Sequence, residues 1–252
     1  MIRTPIILAG VASLFAPFVM AQDDENKPWT VATELGVIAT SGNTETTSVQ
    51  GKIDVKQRLT RWHNHYIFSA LFKEDQVTED DGTKTTEKTA EKYFGSIKSA
   101  YQLESEHSNF FVFGSHAEDK FGSYEQYSTV AIGYGTRLYN GETMQLDAEI
   151  GPGYFRGERV LEDESIQTET GMILRGAASF AWQISPSAEF KQTLSVESGE
   201  DNTRTVAESS LSTRINDAMQ MKVGFNVAND SDVAPGKEKT DTMTYVNLVY
   251  NF

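Results

Sequence analysis

Apolar and polar residues alternate with a period of two along most of this chain, and the alternation runs to its last residue. The segment 244–252 reads TYVNLVYNF, with Val246, Leu248, Tyr250 and Phe252 set against Asn247, Val249 and Asn251. Period two puts successive side chains on opposite faces of a strand. Chain ends usually fray into water, so an apolar row carried to the terminus must meet a core or a lipid. The same pattern marks eleven earlier segments, at 29–39, 48–59, 65–73, 92–103, 109–119, 128–138, 144–155, 169–183, 188–197, 205–215 and 219–228. Almost no helical pattern lies between them. Segments of this length suit strands tilted across a bilayer.

A soluble sandwich also alternates, so period alone does not choose between water and lipid. The connections do. One set is tight: 60–64, 104–108, 140–142, 185–187 and 216–218. The other is longer and acidic: 74–87, 156–167, 197–204 and 229–241. Short turns on one rim and long loops on the other are the pattern of an outer-membrane barrel. The connection at 40–44 belongs to the long-loop rim yet is short. The aromatics segregate as well. Trp29 opens the first strand, Trp62 and Trp182 flank short turns, and Phe252 closes the last strand. With both termini in the periplasm these four form one interfacial belt, where an apolar ring with a polar edge is favoured. The expected fold is all-β: a transmembrane antiparallel β-barrel of about twelve strands, with short periplasmic turns and longer acidic extracellular loops. Its last strand closes against the strand that begins at Trp29, which removes the sheet edge. A soluble periplasmic β-sandwich binding protein is the competing architecture.

The amino terminus fixes a compartment. Residues 1–21 carry one cation, Arg3, then an apolar run, then Val19-Met20-Ala21, and the abruptly polar QDDENK follows. This is the layout of a secretory signal peptide. The expected organisation is a signal at 1–21, a short periplasmic segment at 22–28 and a barrel at 29–252. The 252 residues contain no cysteine, so disulfides are excluded and hydrogen-bonded architecture must supply stability. The formal net charge of −14 disfavours nucleic acid as a partner, since a polyanion would be repelled. Mean hydropathy is −0.42, and no apolar run after Ala21 is long enough for a helical span.

The terminal row Val246, Leu248, Tyr250 and Phe252 resembles the assembly signal of Gram-negative outer-membrane proteins. SGNT at 41–44, EKY at 91–93, GYG at 133–135, GPGY at 151–154 and the LVYNF ending resemble the YdiY-like family of salt-induced outer-membrane proteins. The resemblance covers nearly the whole chain after the signal. It implies a location in the outer membrane, recognition by the barrel assembly machinery and a link to salt or acid stress. It supplies no catalytic residues.

The remaining functional content lies in charges on the polar faces. If Val49, Phe68, Phe72, Leu174 and Val223 face lipid, then Lys52, Asp54, Lys56, Lys98, Glu149, Arg175, Arg214 and Lys222 line the lumen. There they form a salt-bridged plug or a small pore whose charge selects ions. The expectation is a non-enzymatic barrel, a narrow channel or a structural one, without cofactor or metal. A barrel hydrolase using His116 and lumen carboxylates is the alternative. Ser115 beside it points to the opposite face and cannot be its nucleophile. The glycine motifs lack the helix N-terminus that a phosphate cradle needs. They mark places where strands bend or crowd, and Pro152 marks a bulge or rim. The acidic loops lack the spacing of a calcium loop. Divalent cations bridging these loops to lipopolysaccharide phosphates are the remaining partner expectation.

Overall fold

In the computed structural model, period two becomes strand at every one of the twelve segments. The structure describes residues 28–40, 46–78, 84–104, 107–161, 165–234 and 237–252. The signal at 1–21, most of the segment 22–28, the SGNT motif and the acidic tips at 79–83 and 162–164 lie outside the described residues. The strands are β1 (Trp29–Thr40), β2 (Thr46–Arg58), β3 (Trp62–Thr78), β4 (Lys84–Gln102), β5 (Ser108–Asp119) and β6 (Gln126–Asn140). They continue as β7 (Met144–Val160), β8 (Ile166–Ser185), β9 (Ala188–Ser198), β10 (Thr203–Arg214), β11 (Met219–Asp230) and β12 (Thr240–Asn251). Each pairs antiparallel with its sequence neighbours, and β1 pairs with β12, so the sheet is a closed barrel.

Closure leaves no free edge, and the alternation then has a single reading. Val49, Phe68, Phe72, Leu174 and Val223 are exposed on the outer wall, together with Val130, Ile132, Ile150 and Met172. The interior holds the polar set, among which Glu34, Glu197, Arg175, Lys222 and Asn247 are buried. An apolar outside around a polar inside inverts a water-soluble barrel and matches a wall that meets lipid. No helix of the described residues is long and apolar enough to cross a membrane, which leaves a strand-built crossing untouched.

Two expected loops are largely strand. The stretch 74–87 is β3 up to Thr78 and β4 from Lys84, and 156–167 is β7 up to Val160 and β8 from Ile166. Period two disappears there because, above the apolar band, the outer face no longer meets lipid and can be as polar as the inner one. The ladder persists without it, as at Asp75↔Glu87 and Arg159↔Gln167. Polar side chains supplement it: Thr46 and Thr89 both donate to Asp75 at 2.8 Å.

The closing seam is shorter than any other. The β1–β12 ladder runs from Ala32↔Asn251 to Leu35↔Leu248, while β1–β2 continues up to Thr40↔Thr46. The last residue extends the seam at its lower end, where the Phe252 amide donates to the Val31 carbonyl at 2.9 Å.

Glycine shapes the wall at one further place. Between β6 and β7 the register passes from Ala131↔Gly153 to Tyr134↔Ile150 without rungs for Ile132 or Gly133. Pro152 has no N–H to give. A Cβ on Gly151 would lie 2.6 Å from the Gly133 Cα. The GYG and GPGY motifs therefore face each other where the wall bends, and neither cradles an anion.

Candidate functional site

That bend brings distant strands together inside the barrel. With glycines inward on β6 and β7, side chains from β4, β5 and β6 reach β7, β8 and β9. The hydroxyls of Tyr127 and Thr129, on β6, both donate to Glu197 Oε2 on β9 at 3.0 Å. The Arg175 guanidinium, on β8, lies 3.4 Å from Glu197 and 3.8 Å from Glu149, and sits 4.0 Å from the ring centre of Phe113 on β5. Lys98 on β4 pairs with Glu149 on β7. Arg175 Nε and Nη1 are buried yet make no well-aligned hydrogen bond. Both atoms face carboxylates, so the buried cation is held by attraction to Glu197 and Glu149 rather than by aligned hydrogen bonds.

A second cluster lies on the side of the seam. Lys222 on β11 binds Glu34 at 3.2 Å and Glu208 at 3.1 Å, and Lys52 binds Glu34 at 3.5 Å. Asn247, almost fully buried, donates to Glu34 at 2.9 Å, and the Tyr245 hydroxyl donates to Glu208. Lys52 also faces Asp54 at 3.9 Å, and Asp54 accepts from His65 at 2.8 Å. Buried pairs of this kind hold geometry more than they add stability, and removing one partner strands the other's charge.

Between the two clusters the inner wall is lined with small residues. Ala177, Ser179, Ala181 and Ser195 alternate inward on β8 and β9 and are only half-buried. Lys191 projects from this wall close enough to feel the charges of Lys56, Asp54, Lys52 and Lys222. Neither Lys56 nor Lys191 has a carboxylate within ion-pair distance among the described residues.

The rim opposite Trp29 and Phe252 carries a latch. Arg159, 4 % exposed at the top of β7, binds Asp232 at 2.8 Å and Glu169 at 3.2 Å and covers the ring of Tyr124. Tyr124, 2 % exposed in the β5–β6 loop, donates to Glu169 at 2.9 Å. Burial pushes its phenol up to about 12, so it stays a neutral donor. A Cβ on Gly157 would meet the Tyr124 ring at 2.6 Å, so the ring stands over a position that must lack a side chain. Asn202, from the β9–β10 loop, donates to Tyr124 at 3.3 Å and Asp230 at 3.0 Å, and accepts from Ser231 Oγ and the Asp232 amide at 3.1 Å. Lys237 donates to the Phe121 carbonyl at 3.3 Å. The β5–β6 and β11–β12 connections lie on opposite sides of a ring of twelve strands, so contacts between them must cross the mouth.

Among the residues read from sequence as lumen-lining, Lys52, Asp54, Lys98, Glu149, Arg175 and Lys222 stand in the two clusters, Lys56 stands beside Lys191, and Arg214 ends β10 at the rim of the chain termini. Trp29, Trp62, Trp182 and Phe252 stand at strand ends on that same rim, with Trp62 edge-on to Tyr101 at 5.3 Å. The acids that join the clusters, Glu34, Glu197 and Glu208, were missed, as was the latch. Inward parity with a neighbouring lysine or arginine marks those acids in sequence; nothing local marks the latch. His65 also reaches into the lumen, to Asp54. His116 is corrected: it lies exposed on the outer wall, paired with Ser128, so lumen carboxylates cannot serve it. Among the described residues no group of histidine and carboxylate side chains is arranged to hold a metal.

Comparison with known proteins agrees with this architecture. The chain is 27% identical over 259 residues to the uncharacterized protein YdiY of Escherichia coli K12, covering 98% of this chain and 97% of that one. Its fold is similar to the translocator domain of autotransporter NalP from Neisseria meningitidis, with TM-score 0.51, 11% identity and coverage of 91% and 90%. It is similar also to the COG4313 outer membrane channel from Pseudomonas putida F1, with TM-score 0.51, 10% identity and coverage of 89% and 94%. The NanC porin matches with TM-score 0.50, 9% identity and coverage of 88% and 98%. Identities this low show the fold alone, and the fold is that of outer-membrane barrels. Residues 33–252 match the model described as "Protein of unknown function, DUF481", and the chain belongs to that family.

Proposed function

We propose that this barrel is a narrow outer-membrane channel for small hydrophilic solutes, with a preference for anions. The observation that carries the reading is the inner wall of β8 and β9: small, half-buried residues beside Lys56 and Lys191, which lack carboxylate partners among the described residues. A filled plug would bury those alanines and serines and pair those lysines. The two ion-paired clusters narrow the passage. Charge rings at close quarters select by sign. The channel reading is also in keeping with the fold shared with an outer membrane channel and a porin. Use of the channel under salt or acid stress rests on the family resemblance.

Purified protein in a planar bilayer under a salt gradient tests this. Small discrete conductance steps with an anion-selective reversal potential are expected, and Lys56→Glu with Lys191→Glu should move that potential toward cations. Absence of steps, in wild type and with the latch broken by Arg159→Ala, would leave a structural barrel instead.

A further inference from the structure

The outer wall carries a constellation that a lipid-facing surface does not need. His116 on β5, Ser128 on β6 and Arg156 on β7 occupy one rung of the sheet, and all three turn outward. His116 Nδ1 lies 2.8 Å from Ser128 Oγ. On the other side of the ring, Nε2 lies 3.5 Å from Glu118 Oε1, two residues further along the same face of β5. With the proton on Nε2, Nδ1 is free to accept from the Ser128 hydroxyl while Nε2–H points at the carboxylate. Serine, histidine and an orienting carboxylate in this sequence of contacts make an activated nucleophile. Arg156, across from Ser128, adds a fixed positive charge whose other partner is Glu158 at 2.7 Å.

The surface beside these groups is hollow. Gly95 and Gly114 face outward, and a Cβ on Gly114 would meet nothing within 4 Å, while one on Gly95 would meet only a backbone oxygen at 4.0 Å. Their missing side chains leave a furrow of about 620 Å³ bounded by Ile53, Phe68 and Ile97, with His116 in its lining. A second furrow of about 470 Å³ shares Gly114 and runs under Val130 and Tyr154, the residues below Ser128 and Arg156 on their strands. Both are open, apolar and on the wall that meets lipid. Apolar chains lying in them have their polar ends at Ser128 and His116, near the loop end of β5 and β6.

We propose that Ser128, His116 and Glu118 form an acyl-ester hydrolase site on the outer wall, acting on a membrane lipid whose acyl chain lies in the Gly95–Gly114 furrow. This goes beyond the channel reading and uses none of the lumen residues. Ser128 Oγ attacks the ester carbonyl carbon as His116 Nδ1 takes the hydroxyl proton. Arg156 offsets the negative charge that develops on the carbonyl oxygen. The carbon–alkoxide bond breaks, the proton passes from His116 to the departing alkoxide, and the deacylated lipid leaves as an alcohol. Water then adds to the acyl-serine with His116 as base. The carbon–Oγ bond breaks, Ser128 regains its proton, and a fatty acid is released. Ser128 and His116 are the catalytic residues; Glu118 is a positioning residue that acts through the ring.

The test uses the full barrel refolded into vesicles, one set of phosphatidylethanolamine and one containing lipopolysaccharide, with fatty-acid release as readout. Release from either lipid supports the site and identifies its source. Ser128→Ala and His116→Ala should each lower release by at least about a thousandfold, and a fluorophosphonate should label Ser128. Gly114→Leu places its Cβ in open space and its side chain in the furrow, so it should depress cleavage of long-chain esters far more than of a short-chain ester. The charged or titratable groups facing His116 are Glu118 from its own strand, Tyr93 from β4, and Arg156 and Glu158 from β7. Glu118→Gln keeps the side chain's shape and removes the carboxylate that orients the ring, so it should lower kcat with KM unchanged. Heat-modifiable gel mobility reports folding of every variant, whether or not the barrel conducts. No release from either lipid with no labelling of Ser128, in barrels that fold, overturns the proposal. Conductance failing while release succeeds would sink the channel reading alone.

Discussion

Lys237 and Phe121 belong to hairpins half a barrel apart, yet the lysine ammonium donates to the phenylalanine carbonyl at 3.3 Å. The mouth is therefore bridged across its width, and Arg159 is the buried anchor of that bridge. Arg159→Ala removes the partner of Asp232 and Glu169 and leaves Tyr124 without its cationic cover. A broken buried network costs roughly 1–3 kcal/mol, enough to populate an open loop without unfolding the barrel. Limited proteolysis at Lys237 and Lys239 should accelerate, and conductance in a bilayer should rise. Unchanged cleavage rates would show that the loops hold by other contacts.

The bend between β6 and β7 should tolerate no added methyl group. Gly151→Ala places a carbon against the backbone of Gly133, and backbone cannot step aside as a flexible side chain can. Overpacking of this kind costs about 1–3 kcal/mol. Gly51→Ala is the matched control, because a Cβ there meets nothing within 4 Å. Denaturant unfolding in micelles should lower the midpoint for the first variant and leave the second near wild type. Equal midpoints would mean that the bend relaxes freely.

Glu197 is the hub of the larger cluster, accepting from Tyr127 and Thr129 and facing Arg175. Glu197→Gln keeps its shape and removes its charge. The Arg175 cation then lacks one of its two carboxylates, so the barrel should lose stability, by up to about 3–5 kcal/mol if the pair behaves as fully buried. The same change should make the reversal potential more anion-selective, since the passage gains uncompensated positive charge. A lowered unfolding midpoint with no change in selectivity would place this cluster off the conduction path.

The terminal residue makes a fourth case. The Phe252 ring packs 4.6 Å from Tyr250, and its amide extends the closing ladder. Near the interface an acidic side chain costs only about 0–1 kcal/mol, so Phe252→Asp should fold almost normally if refolded from denaturant. In cells it should assemble poorly while Phe252→Tyr assembles well, because the row carried on Val246, Leu248 and Tyr250 loses its last member. Heat-modifiable gel mobility of membrane fractions reads this directly. Wild-type assembly of the aspartate variant would remove Phe252 from any signal role.

The strands were legible because their cause is local. Lipid outside and polar interior impose period two on Val49, Lys52, Phe68 and Lys98 alike, whatever else those residues do. Where that cause lapses, the reading lapsed too: 74–78 and 156–160 are strand above the apolar band, where the outer face need not be apolar, so their polarity looked like loop. The lumen cations could be named from parity, whereas the partners could not. Lys98 meets Glu149 across two intervening strands, where β6 presents Gly133 at the bend. Ser128 and His116 are twelve residues apart and meet through register alone. Sequence could show that Ser115 faced away from His116, but not which residue of the next strand stood opposite.

The short seam bears on how the molecule comes apart under load. Every other junction shares force along a ladder that runs most of a strand, while β1 and β12 are held from Ala32↔Asn251 to Leu35↔Leu248 and by the Phe252 amide. Tension applied between Trp29 and Phe252 loads those bonds one after another, as in a zipper, because both residues stand on the same rim beside the seam. Peeling should therefore begin with the first strand, and the remaining eleven should yield afterward in hairpin-sized steps.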